Sequence, residues 1–438
     1  MPIDKAPDHS PHTGPTLRQM LALWLPLAAR IAMMVLEPSV INIGLGRTTE
    51  AELALAAYGV AFSLALLVEA PILMLLDASV ARATDRVAFA LIRRFALVLG
   101  LVVTAIGLLV SLTPLYVLIV ERLMNIPPNV AAEARPTLQI LAFWSLPIAW
   151  RRANQGVLIR VQKTASISIA TAIRLVTLAG AMFLGMALLP EQGAVVAGLA
   201  MVLSVTVEAV LITVAVQSVL GAGDLPADAA EAGTSVLTLP ALWRFYRPLG
   251  MTTILRQTTR PVLNAGIAAA SMPVASLAAW PVVWGFTMLI TGPAWSLQQL
   301  TTALATDKMA YRRVRGFSLA LSAILSLIVG LVAFTPLYGV VMGGIYNLSP
   351  ELQALARPAM QLLAIYPLIM GGQSLLRGAL IRVGCTSEVR AAMTANVLTL
   401  LGTVVLGLVI LSPTGVVLAA AATLAGSLVE LAWLRWRA

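Results

Sequence analysis

Residues 95–116 read FALVLGLVVTAIGLLVSLTPLY, and residues 317–338 read FSLALSAILSLIVGLVAFTPLY. Neither stretch holds a charged residue. A helix needs about 20 mostly apolar residues to cross the hydrocarbon core of a bilayer, and each stretch is long enough. Both end on the same motif, Thr113-Pro114-Leu115-Tyr116 and Thr335-Pro336-Leu337-Tyr338, 222 residues apart. The same offset, without a gap, brings Pro26-Leu27 onto Pro248-Leu249, Asn42 onto Asn264, and Pro71 onto Pro293. It also aligns Ala83-Thr84-Asp85 with Ala305-Thr306-Asp307, Arg135-Pro136 with Arg357-Pro358, and Leu158-Ile159-Arg160-Val161 with Leu380-Ile381-Arg382-Val383. Shared apolar composition would not hold prolines and charges in register, so the chain is an internal repeat.

Working outward, the chain has 438 residues, 59% hydrophobic and only 11% charged, with a mean hydropathy of +0.92. A soluble chain carries about a quarter charged residues. This much apolar side chain belongs in a bilayer, and the expected class is an all-α integral membrane protein, since open strands leave backbone groups unpaired in lipid. Twelve spans are predicted, starting near Leu17, Leu53, Ala90, Leu138, Ile167, Ala194, Leu242, Val274, Phe317, Leu362, Ala392 and Val416. Six per repeat is an even number, so both halves enter the membrane the same way. They are expected to be related by a pseudo-two-fold axis along the membrane normal, with a binding site between them, as in transporters. The expected divisions are a disordered cytoplasmic tail (1–16), an N-terminal six-helix bundle (17–220), a cytoplasmic linker (221–237) and a C-terminal six-helix bundle (238–438). The tail does not read as a signal peptide, because the apolar stretch after it is too long and lacks a small-residue cleavage site.

The composition also excludes chemistry. Cys385 is the only cysteine, and the two histidines, His9 and His12, both lie in the tail. That argues against a disulfide framework, a metal site and triad-type catalysis. No lysine follows a glycine, so there is no phosphate-binding P-loop. No cofactor and no enzymatic activity are expected. The net charge is +10, from 26 Arg and 3 Lys against 19 acidic residues. Basic charge collects on the cytoplasmic side of membrane proteins. Of the basic residues outside spans, 21 fall on the side of the termini, among them Arg151, Arg152 and Arg377 read as loop residues, and 4 on the other. The charge therefore reports topology rather than nucleic-acid binding. It places both termini in the cytoplasm of a multi-pass plasma (inner) membrane protein, and nothing in the chain implies more than a monomer.

Charges inside spans carry the functional reading. An arginine at a helix centre costs about 3 kcal/mol even on a lenient insertion scale, so such residues should face water or each other. The candidates are Arg30 and Glu37 in the first helix, Glu69 in the second, Arg174 in the fifth, Glu208 in the sixth, Arg256 and Arg260 in the seventh, and Glu430 in the twelfth. Glu208 and Glu430 are equivalent in the repeat, which suits a shared structural task such as pairing with an arginine near the helix end. The other candidates are not matched: Arg30 falls on Thr252, Glu37 on Thr259, Glu69 on Thr291. Arg256, Arg260 and Asn264 are spaced i, i+4, i+8, near one helical face and about 6 Å apart. Two unpaired like charges so close call for carboxylates or a bound anion, and the arginine fork suits phosphate or carboxylate. The expected substrate-binding set is Arg30, Glu37, Asn42, Arg256, Arg260 and Asn264 around a central cavity. Glu69, Arg174, Glu208 and Glu430 are expected to couple or gate. The competing reading makes these charges buried ion pairs that only fix helix packing. Pro38 and Pro261, beside Glu37 and Arg260, predict kinks there.

Glu37 with Asn42, the run Leu55-Ala56-Ala57-Tyr58-Gly59-Val60-Ala61-Phe62-Ser63-Leu64, the run Arg260-Pro261-Val262-Leu263-Asn264 and the run Leu424-Ala425-Gly426-Ser427-Leu428-Val429-Glu430 resemble the progressive ankylosis protein family, in the same order along most of the chain. That family belongs with the multidrug and toxic compound extrusion (MATE) and lipid-flippase transporters. The resemblance implies two six-helix bundles around a central cavity, and export of polyvalent anions such as pyrophosphate, nucleotides (ATP) or citrate. The family carries a basic residue three before the Arg-Pro pair; here that place is Gln257, with Arg256 next to it.

The leading expectation is an alternating-access exporter of a multivalent anion. With the cell interior negative by about 100 mV, each departing negative charge gains about 2.3 kcal/mol. One alternative is a cation-coupled multidrug exporter using Glu37 and Glu69; it predicts an acidic cavity. A second is a flippase for a pyrophosphate-linked lipid. A major-facilitator fold shares the six-plus-six repeat, but its usual glycine-containing motif between the second and third helices is missing from this chain around Thr84-Asp85-Arg86. A membrane enzyme or a non-transporting scaffold is the reading from a different class.

Overall fold

The computed structural model describes residues 14–383, 385–410 and 413–437. Most of the expected tail, with His9 and His12, lies outside the described residues, as do the side chains of Arg30 and Arg256. Among the described residues there are helices and no strand. In chain order these are α1 (Leu17–Leu45), α2 (Ala51–Glu69), α3 (Leu75–Arg82), α4 (Arg86–Leu112), α5 (Pro128–Ala142), α6 (Ser145–Arg160), α7 (Ala165–Leu188), α8 (Gly193–Gly221), α9 (Leu239–Gln257), α10 (Thr259–Ala269), α11 (Pro273–Trp295), α12 (Leu297–Leu304), α13 (Lys308–Phe334), α14 (Pro350–Leu363), α15 (Tyr366–Arg382), α16 (Thr386–Ile410) and α17 (Gly415–Arg437). Ten helical segments are long and apolar enough to cross a membrane. The other two expected spans, residues 128–160 and 239–269, are helical but interrupted once each and richer in charge. The protein is an all-α integral membrane protein.

The 222-residue offset governs local structure to the residue. Asp85 and Asp307 cap α4 and α13, accepting from the backbone N–H of Ala88 and Ala310 at 2.8 Å in both cases; a short acceptor at this place satisfies a donor the helix leaves unpaired. Thr-Pro-Leu-Tyr ends both helices for a stated reason. The Tyr116 hydroxyl donates to the carbonyl of Ala131 at 2.5 Å, and that of Tyr338 to Gln353 at 2.7 Å. Arg135 and Arg357 then donate through Nε to the carbonyls of Ser111 and Ala333. Their guanidiniums lie over the Tyr116 and Tyr338 rings, 5.4 and 5.3 Å from the centroids, within cation–π range. The Arg-Pro and Thr-Pro-Leu-Tyr motifs are thus one lock, made once in each half. The turns that follow end at Asn125 and Asn347, with φ of 53° and 55°, a left-handed conformation asparagine tolerates.

The chain forms two compact units, and they are not the two halves of the sequence. One comprises residues 47–265; the other comprises 1–46 with 266–438. The expected division at the linker therefore differs from the observed one in two helices. α1 packs along α11 in the second unit, and α9 packs on α2, α3 and the 3-10 turn Ala70–Met74 in the first. Five side-chain bonds fix this exchange, and all but the one to Ser63, whose equivalent is Gly285, obey the repeat. Trp24 donates its indole N–H to the carbonyl of Pro293 at 3.2 Å, and Tyr246 donates its hydroxyl to the carbonyl of Pro71. The Asn42 amide donates to the carbonyl of Pro281 at 2.9 Å, and the Asn264 amide to the carbonyl of Gly59 at 3.4 Å and to Ser63 Oγ at 2.9 Å. Pro71 in the 3-10 turn and Pro293 in the last turn of α11 supply two of the carbonyls, since a regular helix has few to give outside its ends.

Residues 222–238, between α8 and α9, are irregular and tied to the first unit. Arg86 donates its backbone N–H to Pro226 and its side chain to the carbonyls of Leu220 and Leu225, and Lys163 pairs with Asp224.

Candidate functional site

The asymmetric charges lie between the pinned points of their helices. Arg30 and Glu37 fall between Trp24 and Asn42 on α1; Arg256 and Arg260 fall between Tyr246 and Asn264 on α9 and α10. α1 runs through Pro26 and Pro38 as one helix, so the kink expected at Pro38 does not interrupt it. The seventh helix is interrupted at Thr258, before Pro261, with Arg256 and Arg260 on either side. Glu37 is buried and Arg260 is exposed. Arg260 lies nine residues before the end of α10, roughly 14 Å at 1.5 Å per residue. At a helix centre, an arginine facing hydrocarbon would cost about 3 kcal/mol or more.

Asn42 and Asn264, both buried, direct their amides into their own units, as described above. They position the helices that carry the arginines. That is a role the i+8 spacing alone did not reveal.

Glu208 and Glu430 each centre a buried polar node. Glu208 on α8 pairs with Arg151 on α6 and, at 3.0 Å, with Arg174 on α7. Gln155 and Thr171 donate to its other oxygen at 3.2 and 3.0 Å. Glu430 on α17 accepts from Arg377 Nε on α15 at 2.8 Å and from Asn396 on α16 at 2.7 Å. The repeat maps Arg151 onto Gln373, Gln155 onto Arg377, and Arg174 onto Asn396. An arginine and a glutamine one turn apart have thus changed places between the halves, and each node keeps its arginine. Gln373 bonds the carbonyl of Ser427 in the second node.

This corrects the reading of Arg151, Arg152 and Arg377 as loop residues. All three lie within helices, and Arg151 is 7% exposed. An Arg-Arg pair reads as the end of a span when only apolar runs are counted. The helix continues because a glutamate on a neighbouring helix compensates the charge. The signal was present in the sequence, in the Arg/Gln exchange at equivalent positions.

Glu69 stands apart from both. It is the last residue of α2, 2% exposed, directly before the 3-10 turn. Among the described residues no group of three or more His, Cys, Asp or Glu side chains is placed to hold a metal ion.

No known protein-family profile matches the sequence, and no characterised protein matches it in sequence. Solved structures do match in fold. A multidrug resistance MATE family transporter of the MOP superfamily, inward-facing, aligns with a TM-score of 0.73 at 15% identity, covering 94% of this chain and 97% of that one. The lipid II flippase MurJ, inward closed, aligns at 0.70 and 13% identity, covering 94% and 87%. A MOP superfamily transporter from Pyrococcus furiosus aligns at 0.61 and 16% identity, covering 95% of each chain. The protein has the MATE-like fold.

Proposed function

We propose that the protein is a secondary, alternating-access transporter that exports a multivalent anion, such as pyrophosphate, a nucleotide or citrate, and that it belongs with the progressive ankylosis family inside the MATE-like fold. The observation that carries this reading is Arg260, exposed in the helical segment that stands at the seventh expected span, where an arginine facing hydrocarbon would be costly. Arg30, Glu37 and Arg256 complete the proposed anion-contacting set. Asn42 and Asn264 hold the helices that bear it, and Arg174, Glu208 and Glu430 brace the bundles. Export of a trivalent anion would gain about 7 kcal/mol at 100 mV, so no coupling ion is required. The excess of basic residues on the side of the termini supports a plasma-membrane protein with both termini in the cytoplasm, acting as a monomer.

The test is a thermal-shift screen of purified protein against pyrophosphate, ATP, citrate and cationic dyes, followed by efflux from proteoliposomes. A ligand that binds only the folded state at about 100 times its dissociation constant adds roughly 2.7 kcal/mol of stability. Stabilisation by cationic dyes alone would overturn the anion reading in favour of multidrug export. A second reading, a flippase for a pyrophosphate-linked lipid, is favoured by the likeness to MurJ; its headgroup offers the same charge to the same arginines. The Pyrococcus furiosus structure is described as having a binding pocket of reverse polarity suggesting a different function, so pocket charge differs among proteins of this fold.

A further inference from the structure

Residues 95–112 of α4 carry no charge. They make about 27 Å of helix at 1.5 Å per residue, close to the roughly 30 Å hydrocarbon core of a bilayer. Arg94, directly before this run, stands at one edge of the hydrocarbon. It is exposed on the same face of α4 as Val98 and Leu101, one and two turns further on. Phe95 beside it reaches α9: its ring lies 6.3 Å from that of Trp243 and 5.0 Å from that of Tyr246. These contacts bring the first turns of α9 to the same level. Trp243, Arg247 and Met251 follow there at i, i+4 and i+8, all exposed, with Arg244 exposed next to Trp243. Tryptophan at the edge of the hydrocarbon is a usual interfacial anchor. On another face of α9, Arg82 from the end of α3 lies over the Phe245 ring, 4.5 Å from its centroid. Arg94, Arg244 and Arg247 form no hydrogen bond or ion pair among the described residues. Arg93, by contrast, is turned onto the Trp150 ring at 4.3 Å. Asp85, the acid at the start of α4, is engaged by the Ala88 N–H and the Thr84 hydroxyl.

The fold does not need these arginines. The second half keeps the ring contact, Trp24 on Phe317 at 6.2 Å, but has Gly316, Ala22 and Leu25 at the places of Arg94, Arg244 and Arg247, and Leu21 at that of Trp243. Nor does topology need them at this level. The second half carries Arg312 and Arg313 at the places of Ala90 and Leu91, about one turn nearer the start of the helix and away from the ring contact.

We propose that the joined ends of α4 and α9 bind an anionic phospholipid of the surrounding bilayer, its headgroup phosphate held by Arg94, Arg244 and Arg247. The guanidinium fork matches a phosphate, and basic residues at a membrane surface attract anionic lipid. Three arginines without an acidic partner favour a headgroup with net negative charge over a zwitterionic one, whose ammonium cancels the phosphate. The exposed apolar residues beyond the arginines, Val98 and Leu101 on α4 and Met251 on α9, offer the acyl chains a surface that a soluble anion would leave uncovered. Trp243, between the two, stands where headgroup and chains meet. All these residues belong to one unit, and the site stands independently of what the protein transports.

The experiment titrates full-length protein in detergent with phosphatidylglycerol or phosphatidylcholine carrying brominated chains, which quench tryptophan fluorescence on contact. Phosphatidylglycerol should quench at the lower concentration, and the part of the quenching peculiar to it should vanish in Trp243→Phe, although eight of the nine tryptophans remain. Arg94→Ala and Arg247→Ala should each weaken phosphatidylglycerol binding about 5-fold, the worth of one basic residue near an anionic surface, and leave phosphatidylcholine unaffected. Arg247→Lys should retain most of the preference. Arg312→Ala, which removes the same charge away from the ring contact, should change nothing. Equal quenching by the two lipids in the wild type overturns the proposal, as does a preference that survives in Trp243→Phe. A loss in Arg312→Ala equal to that in Arg94→Ala overturns it in favour of diffuse surface charge. Displacement of the lipid by millimolar glycerol phosphate overturns it in favour of a soluble anion. Should an alanine variant not fold, the wild-type preference and its fate in Trp243→Phe decide.

Discussion

Trp24 donates its indole N–H to the carbonyl of Pro293 at 3.2 Å, tying the first helix to a unit whose remaining residues begin at Gly266. The repeat reproduces this bond with a different donor, Tyr246 to Pro71. Trp24→Phe and Tyr246→Phe should each lower stability by about 1 kcal/mol, the usual net worth of one hydrogen bond. Thermal unfolding in detergent measures this. No loss in either variant would show that packing alone holds the exchanged helices.

Glu208→Gln removes the charge between two buried arginines and should cost about 3–5 kcal/mol. Arg174→Asn should be much milder, because it rebuilds in the first unit the glutamate, arginine and asparagine set found around Glu430. Equal losses in the two variants would contradict this account of the nodes.

Arg260→Ala should weaken binding of a trivalent anion by about 2–5 kcal/mol, the range for removing one partner of a charge-assisted contact, and leave the fold intact. Arg260→Lys should fall between alanine and wild type, since it keeps the charge and loses the planar fork. Titration calorimetry with pyrophosphate is the measurement, and an affinity unchanged in the alanine variant removes Arg260 from the site.

Gly378 on α15 lies against α12. A Cβ there would stand 2.5 Å from the carbonyl oxygen of Gln298 and 2.8 Å from Thr301 Cβ. Gly378→Ala should cost about 1–3 kcal/mol by overpacking. Gly402 on α16 has nothing within 4 Å of the same position, so Gly402→Ala should be neutral or stabilise by up to about 1 kcal/mol. The opposite signs can be read from paired melting curves.

With Cys385 replaced, single cysteines beside Arg47 and Arg86 should label differently in intact cells. Only the first should react with an impermeant reagent from outside, if the side bearing the termini is cytoplasmic.

The helical architecture and the repeat were legible because a gap-free offset preserves caps, turns and locks together; Asp85 with Asp307 and Tyr116 with Tyr338 are visible as letters. The exchange of first helices was not. All but one of its acceptors, Ser63 Oγ, are backbone carbonyls, which no side-chain pattern marks, and only residues 46–50 separate α1 from α2, which suggests neighbours in one unit. The buried arginines were hidden for another reason. Hydropathy treats Arg151 as an interruption, while Glu208, 57 residues away in sequence, makes it tolerable. Of the candidate site, the positions of the charges were readable and their surroundings were not.

The exchange also bears on how such a chain could have arisen. A single six-helix half lacks the first helix that completes its own unit and carries one that completes another. Before duplication and fusion, such a half could have completed its unit only by trading first helices with a second copy, as a swapped pair. Fusing the two copies made that trade permanent within one polypeptide. Cutting the present chain between α8 and α9 should therefore yield two fragments that become stable only when made together.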